Sequence, residues 1–343
     1  METQTISNRS VFDPTVPGFN EAYYVIWTDP AQELSMVIRY VLFNGPTAET
    51  QVAQVWAWFR DRRNNVDCAF RQVYPLDQAS WSGETCDLRI GAASGLSDEK
   101  AWGRILVDEI DLRWEFDLHS DEAIGVDRML GTGDSSLFPR FQSPRCKHQL
   151  SGTVQYNDRS YTLERVNATD GHYWNVQNLQ TWSWANCVSF QERPGTVLEA
   201  IGYQLYRQDS PVSVSASFGS RESLEQTSLP EGVFRNRELV SELEEWQIEA
   251  NFDQSTVRAT ITGKPEDMIL IVHPLPDGGA LYTTITLTGD ARVEIIEANG
   301  SSDPKVTCVT ARDSVAFEVT KPVRNPRVSR EFLIVPAPPS LTI

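Results

Sequence analysis

The strongest constraint on the fold of this chain is a succession of short runs rich in β-branched and aromatic residues, separated by turn residues. The runs 35–43 and 51–59 flank Asn44-Gly45-Pro46 and predict an antiparallel hairpin. A second hairpin is predicted from residues 152–156 and 161–165, on either side of a four-residue polar turn. Residues 104–119 have apolar side chains at nearly every second position, with Asp108 as the exception, which predicts one long strand.

The rest of the chain continues the same pattern. Further strands are predicted at residues 187–190, 199–207, 246–252, 256–262, 268–273, 281–288 and 291–297. Helix signals are confined to two short segments, 97–102 and 237–245. Many short strands at this spacing are typical of an all-β barrel or sandwich.

The domain organisation follows from the length and from one weaker segment. A chain of 343 residues is long enough for two ordinary domains. The Ser-rich stretch 209–229 interrupts the strand pattern, so the boundary is expected between residues 205 and 240. We therefore predict an N-terminal β domain at 1–205 and a C-terminal β-barrel domain at 206–343.

Charge and apolar patterning restrict the partners. The formal net charge is −17 and no cluster of Lys and Arg is visible, so a nucleic-acid partner is not expected. No run approaches the roughly 20 apolar residues that a membrane-spanning helix needs, so no membrane insertion is expected. The N-terminus has no signal-peptide pattern, and a cytoplasmic location is expected. The oligomeric state is left open.

Cysteine and histidine spacing gives no sign of a metal site. The five cysteines are scattered, odd in number and without a C-x-x-C pair, which predicts buried thiols in a reducing compartment. A Cys68–Cys86 disulfide is the alternative if a signal peptide has been removed. The four histidines are too far apart for a local metal motif, although a site assembled in space stays open. No metal is expected.

The densest group of chemically useful residues lies between residues 170 and 187. His172 can exchange protons near neutral pH, and it stands close to Trp174 in the sequence. Trp182 and Trp184 are two residues apart, so in a strand both project from the same face. Indoles beside an imidazole suit an apolar cavity with one polar group. The alternative is that the tryptophans and His172 belong to the core.

A second group lies near the N-terminus, where Asn20, Glu21 and Tyr24 precede Arg39 in the next strand. If Glu21 and Arg39 both point inward, they form a buried ion pair or a carboxylate-binding spot. A surface pair at a barrel rim is the alternative. Trp56 and Trp58 form another Trp-x-Trp pair, which fits the core better than a site.

Several common motifs are missing from the sequence. No G-x-G-x-x-G or P-loop pattern is present, which argues against a nucleotide cofactor. No G-x-S-x-G elbow is present, which argues against serine hydrolysis by that route. No cofactor is expected.

The ordered motifs resemble a calycin-like superfamily of tandem lipocalin-type barrels. It includes carotenoid hydratases (hydroxyneurosporene synthases), AttH-like proteins, tocopherol cyclase relatives and polyketide Diels–Alderases. The resemblance depends on three groups: residues 20–24 with Asp29-Pro30 and Arg39-Tyr40, residues 150–154 leading to Tyr161, and residues 171–174 followed by 182–184. The resemblance covers residues 18–205. The remainder of the chain resembles the superfamily only in being rich in predicted β-strands.

The resemblance implies two packed lipocalin-like antiparallel barrels with few short helices, enclosing a hydrophobic polyene, polyketide or isoprenoid. His172, Trp182 and Trp184 match the family's motif positions. Asn175 stands where relatives usually have Gly, and Asn186 stands where a hydratase would need an acid. The second departure favours a cyclase that works by shape and hydrogen bonding over a hydratase.

From this we predict a cofactor-independent cyclase or isomerase, of the Diels–Alderase type, acting on a hydrophobic small-molecule substrate. The predicted hydrogen-bonding or proton-transferring residues are His172, Asn186, Tyr24 and Arg39. The predicted substrate-binding residues are Trp174, Trp182, Trp184, Glu21, Asn20 and Trp58. The alternatives are a non-catalytic carrier of an apolar ligand, an isoprenoid double-bond hydratase, and a carbohydrate-active β protein with facing carboxylates in an open cleft.

Overall fold

A computed structural model of the chain describes residues 8–129, 140–176, 179–205, 213–221, 223–226, 237–252, 255–274, 279–297 and 305–337. These residues form β-strands almost throughout. The helical segments among them are single turns of 3-10 helix at Ala48–Thr50, Leu76–Gln78 and Pro265–Asp267. The predicted all-β class is confirmed, and the two sheets have the shapes of a half-barrel and a nearly closed barrel.

The first sheet contains twelve strands. In chain order they are Asn20–Asp29 (β1), Leu34–Asn44 (β2), Gln51–Asp61 (β3), Val66–Pro75 (β4), Ala79–Trp81 (β5), Asp87–Ile90 (β6), Ser94–Ser97 (β7), Lys100–Val107 (β8), Ile110–Met129 (β9), Arg140–Tyr156 (β10), Arg159–Asn175 (β11) and, near the C-terminus, Leu333–Pro336 (β22). The strand order is β22-β4-β3-β2-β1-β11-β10-β9-β8-β7-β6-β5. All neighbours are antiparallel except β22, which runs parallel to β4.

The second sheet contains ten strands. They are Leu179–Cys187 (β12), Val197–Leu205 (β13), Ser213–Gly219 (β14), Glu225–Gln226 (β15), Arg237–Ser241 (β16), Glu245–Asn251 (β17), Ser255–Thr262 (β18), Ile269–Pro274 (β19), Ala280–Glu297 (β20) and Lys305–Lys321 (β21). Their order is β15-β14-β13-β12-β21-β20-β18-β17-β16, and β19 also pairs with β20.

Local predictions hold where strand and turn signals agree. The predicted 35–43/51–59 hairpin is confirmed as β2 and β3, paired from Leu34–Asp61 to Asn44–Gln51. The hairpin predicted around residues 157–160 is confirmed as β10 and β11, which extend well beyond the predicted strands.

Five local predictions are wrong. The strand predicted at 187–190 contains only the last residue of β12, and the two strands predicted at 281–288 and 291–297 are one continuous strand, β20. The strand predicted at 104–119 is a hairpin of β8 and β9, because Asp108 adopts a left-handed φ of 49° and turns the chain. The segment predicted as a helix at 97–102 consists of the end of β7, a two-residue turn and the start of β8, and the helix predicted at 237–245 contains β16. In both segments cross-strand pairing overrides weak local helix signals.

Sheet membership divides the chain between Asn175 and Leu179, and β22 returns to the first sheet. The strands β12 and β13, within the predicted 1–205 unit, pair in the second sheet. The division into domains stays a prediction, because residues 206–212, 222 and 227–236 of the expected 205–240 boundary lie outside the described residues. The four N-terminal residues used to judge the signal peptide also lie outside them.

None of the five cysteines forms a disulfide, so Cys68 and Cys86 are not bonded to each other. Cys308 is exposed, which corrects the prediction that every thiol is buried. In the described part of the chain, no helix is long and apolar enough to cross a membrane.

The central strands of the first sheet are buried on both faces, which fixes the position of the site. In β1, the side chains of Tyr23, Val25 and Trp27 belong to the apolar core inside the first sheet. The alternate residues Tyr24 and Ile26 belong to a separate apolar cluster that includes residues of the second sheet. Because successive side chains of a strand point to opposite faces, β1 separates two different interiors.

Candidate functional site

A cavity of about 320 Å³ lies between the two sheets. Aromatic side chains from both sheets form much of its wall: Tyr24, Trp56, Phe141, Tyr173, Trp182 and Trp184. Aliphatic residues and one further ring complete its apolar surface: Ala22, Ile26, Val41, Phe43, Ile201 and Val272. The polar residues at the wall are Asn20, Arg39, Gln54, Arg71, His273 and Glu318. An apolar cavity with a few grouped polar side chains is typical of a small-molecule site.

Strand alternation decides which residues reach this cavity. Trp182 and Trp184 of β12 both line it, which confirms that they share a face. Asn20 and Tyr24 of β1 line the same cavity from the opposite sheet. The structure therefore brings together four predicted site residues that are far apart in the sequence, and Arg39 of β2 makes a fifth.

The polar centre of the site is the carboxylate of Glu318 on β21. Arg39 on β2 of the first sheet forms an ion pair with one oxygen of Glu318. Trp182 Nε1 donates a hydrogen bond of 2.6 Å to the other oxygen. The Arg39 and Glu318 side chains are 19% and 8% exposed, so the pair is largely shielded from water. Charge-assisted hydrogen bonds of this kind hold their partners in a fixed geometry.

His273 lies beside this centre at the end of β19. Its ring meets the ring of Trp182 edge-on at 5.7 Å, and its Nε2 is 2.9 Å from Thr283 Oγ1. Burial lowers the pKa of His273 to about 4, although the nearby Glu318 acts in the opposite direction. His273 is therefore a neutral imidazole at neutral pH.

Arg71 on β4 is the second guanidinium at the cavity wall. It stacks over the ring of Trp56 with 4.8 Å from Cζ to the ring centroid. Gln54 Oε1 accepts hydrogen bonds from Arg71 Nε at 2.9 Å and from Trp56 Nε1 at 2.8 Å. The amide of Gln54 thus fixes both the cation and the ring below it. Burial lowers the pKa of Arg71.

Tyr24 contributes its ring to the cavity wall, and the neighbouring strand makes room for it. Tyr24 is paired in register with Gly171 of β11. A Cβ atom at Gly171 would lie 2.2 Å from the Cζ and hydroxyl oxygen of Tyr24. The glycine is therefore required by the close approach of the tyrosine ring. Burial, with a smaller effect of the Glu199 charge, raises the pKa of Tyr24 well above its usual value.

Three other predicted site residues lie inside the first sheet. His172 is fully buried, with its Nε2 2.8 Å from Glu21 Oε1 and its ring stacked on Tyr23 at 4.0 Å. Glu21 also accepts hydrogen bonds from Ser10 Oγ at 2.6 Å and from the backbone nitrogen of Val11 at 2.8 Å. Trp174 belongs to the same core.

The predicted Glu21–Arg39 ion pair is wrong. Glu21 of β1 faces the interior of the first sheet, whereas Arg39 of β2 faces the cavity between the sheets. In the register of β1 and β2, Glu21 is opposite Leu42 and Arg39 is opposite Tyr24. Arg39 is thus paired with a β1 residue that lies three positions after Glu21. Because side chains alternate between the two faces of a sheet, this odd spacing places the two charges on opposite faces.

The remaining two predicted residues lie near the cavity but not in its wall. Asn186 is buried, and its Nδ2 donates a 2.9 Å hydrogen bond to the carbonyl oxygen of Cys146. It lines a separate small crevice of about 10 Å³. Trp58 is fully buried in the apolar cluster between the sheets and donates through Nε1 to Asp67 at 2.8 Å.

Four polar residues of the wall were not predicted as site residues from the sequence: Gln54, Arg71, His273 and Glu318. A signal for Glu318 exists, because it is the single charged residue in the otherwise apolar and hydroxyl-bearing run 314–320. Such a residue in the middle of a buried strand is a candidate for a paired internal charge. The other three had no comparable signal. Among the described residues, no group of three or more His, Cys, Asp or Glu side chains is arranged to hold a metal ion.

Two antiparallel β-sheets packed around an apolar cavity define an all-β fold of the lipocalin-like class. A sequence profile of the tocopherol cyclase-like family matches residues 136–320, more than half of the chain, so the protein belongs to that family. This confirms the resemblance predicted from the sequence and extends it into the second half. No curated protein matches the chain in a sequence comparison.

Solved structures share the fold over almost the whole chain. An AttH-like protein from Nitrosomonas europaea superposes with a TM-score of 0.54 at 12% identity, covering 89% of this chain and 92% of that one. CghA, in a structure with Sch210972, superposes with a TM-score of 0.53 at 9% identity, covering 93% of this chain and 94% of that one. At these identities the similarity shows the fold alone.

Proposed function

We propose that the protein is a cyclase or isomerase that folds a flexible, largely apolar polyene, polyketide or isoprenoid in the cavity between its sheets and needs no cofactor. Membership of the tocopherol cyclase-like family supports a cyclase-type role. The observation that carries the proposal is the composition of the wall, in which aromatic rings from both sheets surround a small polar centre.

The wall can promote ring closure by restricting the substrate. A linear chain that must bend into a reactive conformation loses much conformational entropy. A cavity that binds the chain already folded removes that entropic cost before the reaction. Tyr24, Phe141 and Trp184 meet at ring-centroid distances of 5.5 to 6.4 Å and form one continuous aromatic wall. Flat rings of this kind fit a polyene along its length.

The polar centre can lower the barrier by polarising the substrate. Glu318, which accepts a hydrogen bond from Trp182, fixes the Arg39 guanidinium at the wall. The remaining N–H groups of Arg39 can then donate to a substrate carbonyl. A pre-oriented donor to developing negative charge is worth about 3 kcal/mol in transition-state stabilisation. Arg39 is therefore our candidate activating residue, and Trp182 and Glu318 position it.

Ring closure without proton transfer suits the ionisation of the wall. Burial lowers the pKa of His273 to about 4 and raises the pKa of Tyr24 and Tyr173. A general acid or base works best with a pKa near the operating pH, and none of these three has one. The lack of a group with a pKa near neutrality among these three residues also favours a second candidate function. In it, the protein is a carrier that releases its apolar ligand unaltered.

The test is product analysis with wild-type protein and two matched variants. Purified protein is incubated with linear polyenes and polyketides, and each compound is followed by liquid chromatography and mass spectrometry. A cyclase gives a product of unchanged mass, new retention time and shortened conjugation. Trp184→Ala, in the wall, should abolish conversion, whereas Trp102→Ala, on β8 of the first sheet, should retain it.

Other products identify the competing functions. A product heavier by one water would establish a hydratase and overturn the proposal. A compound that binds and is recovered unchanged would establish a carrier. Equal conversion by wild-type protein and Trp184→Ala would show that the reaction does not occur in this cavity.

A further inference from the structure

The cavity wall contains a positive charge that has no acidic partner in the described part of the chain. Arg71 stacks on Trp56 and donates from Nε to Gln54, and both partners are neutral. No carboxylate among the described residues lies within ion-pair distance of its guanidinium. The nearest acidic residue in its own strand, Asp67, is paired with Arg60 and Arg330 instead.

The charges around Arg71 leave this end of the cavity positive. Besides Tyr24 and Tyr173, whose raised pKa keeps them uncharged at neutral pH, the ionisable residues at the wall are Arg39, Arg71, His273 and Glu318. At neutral pH two guanidinium groups oppose one carboxylate, since His273, with a pKa of about 4, is uncharged. Arg39 is already neutralised by Glu318, so the uncompensated charge belongs to Arg71. Arginine stays protonated even where burial lowers its pKa.

A cation that is shielded from water and has no acidic partner is unfavourable in free energy. A bound anion would compensate for this unfavourable term. The guanidinium is held in place through Nε and through its face, which leaves its two terminal nitrogens as donors. Paired donors of this geometry match the two oxygens of a carboxylate, or of an enolised 1,3-dicarbonyl group. The surrounding rings would contact an apolar body attached to that group.

We propose that the ligand of this cavity is an amphiphilic acid, whose single carboxylate or enolate group binds Arg71 while its apolar chain lies against the aromatic wall. This inference builds on the proposed function and names the substrate class for the same site. It gives the two arginines different tasks, because Arg71 binds the permanent anion and Arg39 donates to the reacting portion of the chain.

The test compares an acid with its uncharged ester. All-trans-retinoic acid and methyl retinoate have the same polyene body, and both quench tryptophan fluorescence when bound beside the indoles of the wall. Affinities are measured by titration for the wild-type protein, Arg71→Gln and Gln54→Glu. Gln54→Glu places a carboxylate beside Arg71 and keeps its contact with Trp56, so it neutralises the cation without removing it. Arg89→Gln is the matched control, because Arg89 stacks over Trp102 at 5.6 Å on the exposed surface.

Wild-type protein and Arg89→Gln should bind the acid at least about tenfold more tightly than the ester, as expected for a charge-assisted hydrogen bond. Arg71→Gln and Gln54→Glu should bind both compounds with similar affinity. If the ester binds as tightly as the acid to wild-type protein, the inference is wrong and the apolar cavity of the proposed function stands. If neither compound binds, the proposed function fails as well. A preference for the acid that survives in Gln54→Glu would also overturn the assignment to Arg71.

Discussion

Arg39 on β2 of the first sheet and Glu318 on β21 of the second sheet form an ion pair across the wall of the inter-sheet cavity. A second pair joins Arg60 on β3 to Asp267, in the 3-10 turn between β18 and β19, at 2.7 Å, and both side chains are less than one-tenth exposed. The two sheets are therefore connected by charge as well as by apolar packing. This makes the polar centre of the cavity part of the structure that holds the sheets together.

We expect Arg39→Met to lower the free energy of unfolding by roughly 3 kcal/mol, because it leaves the carboxylate of Glu318 without its cation in a shielded position. The double variant Arg39→Met/Glu318→Met should recover most of that loss, since it removes both charges. Urea denaturation measures both values. Arg63→Met, which removes an exposed ion pair with Glu33, is the control and should change stability by less than about 1 kcal/mol. A double variant no more stable than the single one would contradict the pairing.

We expect Gly171→Ala to destabilise the protein by about 1–3 kcal/mol, because the new methyl group overlaps the ring of Tyr24. Displacement of that ring should also weaken binding of an apolar ligand in the cavity. Thermal unfolding and fluorescence titration measure the two effects. Gly83→Ala is the control, since a Cβ atom there would meet its nearest neighbour at 3.9 Å. Equal stability of the two variants would refute the close approach of Tyr24 to Gly171.

We expect His148 and His273 to make the protein less stable as the pH falls from about 6.5 to 4. Burial lowers the pKa of each to about 4, so in this interval the unfolded chain takes up protons that the folded protein does not. The free energy of unfolding should therefore fall with decreasing pH, by at most about 1.4 kcal/mol per pH unit for each histidine.

Denaturation at pH 7 and pH 5 measures this effect. His148→Gln cannot titrate and should lose about 1–2 kcal/mol less than the wild-type protein over that interval. His119→Gln is the control, because that imidazole is partly exposed, and it should follow the wild-type protein. The prediction fails if His148→Gln and wild-type protein have the same pH dependence.

We expect His172→Gln to act on stability more than on ligand binding. His172 and Glu21 are both fully buried inside the first sheet, and loss of their 2.8 Å contact should cost about 1–3 kcal/mol in the free energy of unfolding. Trp184→Ala, in the cavity wall, should instead weaken polyene binding more strongly. Parallel measurements of stability and affinity distinguish the two residues. If His172→Gln lost ligand binding while keeping full stability, the prediction would be wrong and His172 would be a ligand-binding residue.

Strand and turn signals depend on residues that are close together in the sequence. A large part of the secondary structure could therefore be predicted from the sequence. The hairpin of β2 and β3 was predictable because β-branched runs and a turn lie next to each other in the chain. The shared face of Trp182 and Trp184 follows from the two-residue period of a strand, whatever that strand pairs with. The turn at Asp108 was missed because apolar alternation continues on both sides of it.

Partners across the cavity could be decided only by the tertiary structure. Glu21 and Arg39 looked like partners because they lie on neighbouring strands, but the register places them on opposite faces of the first sheet. Their actual partners, His172 and Glu318, are supplied by strands more than a hundred residues away. The sequence by itself determined which side chains alternate along each strand, because that period is a property of the backbone. The pairing and curvature of the two sheets decided which alternating face lines the cavity and which fills a core.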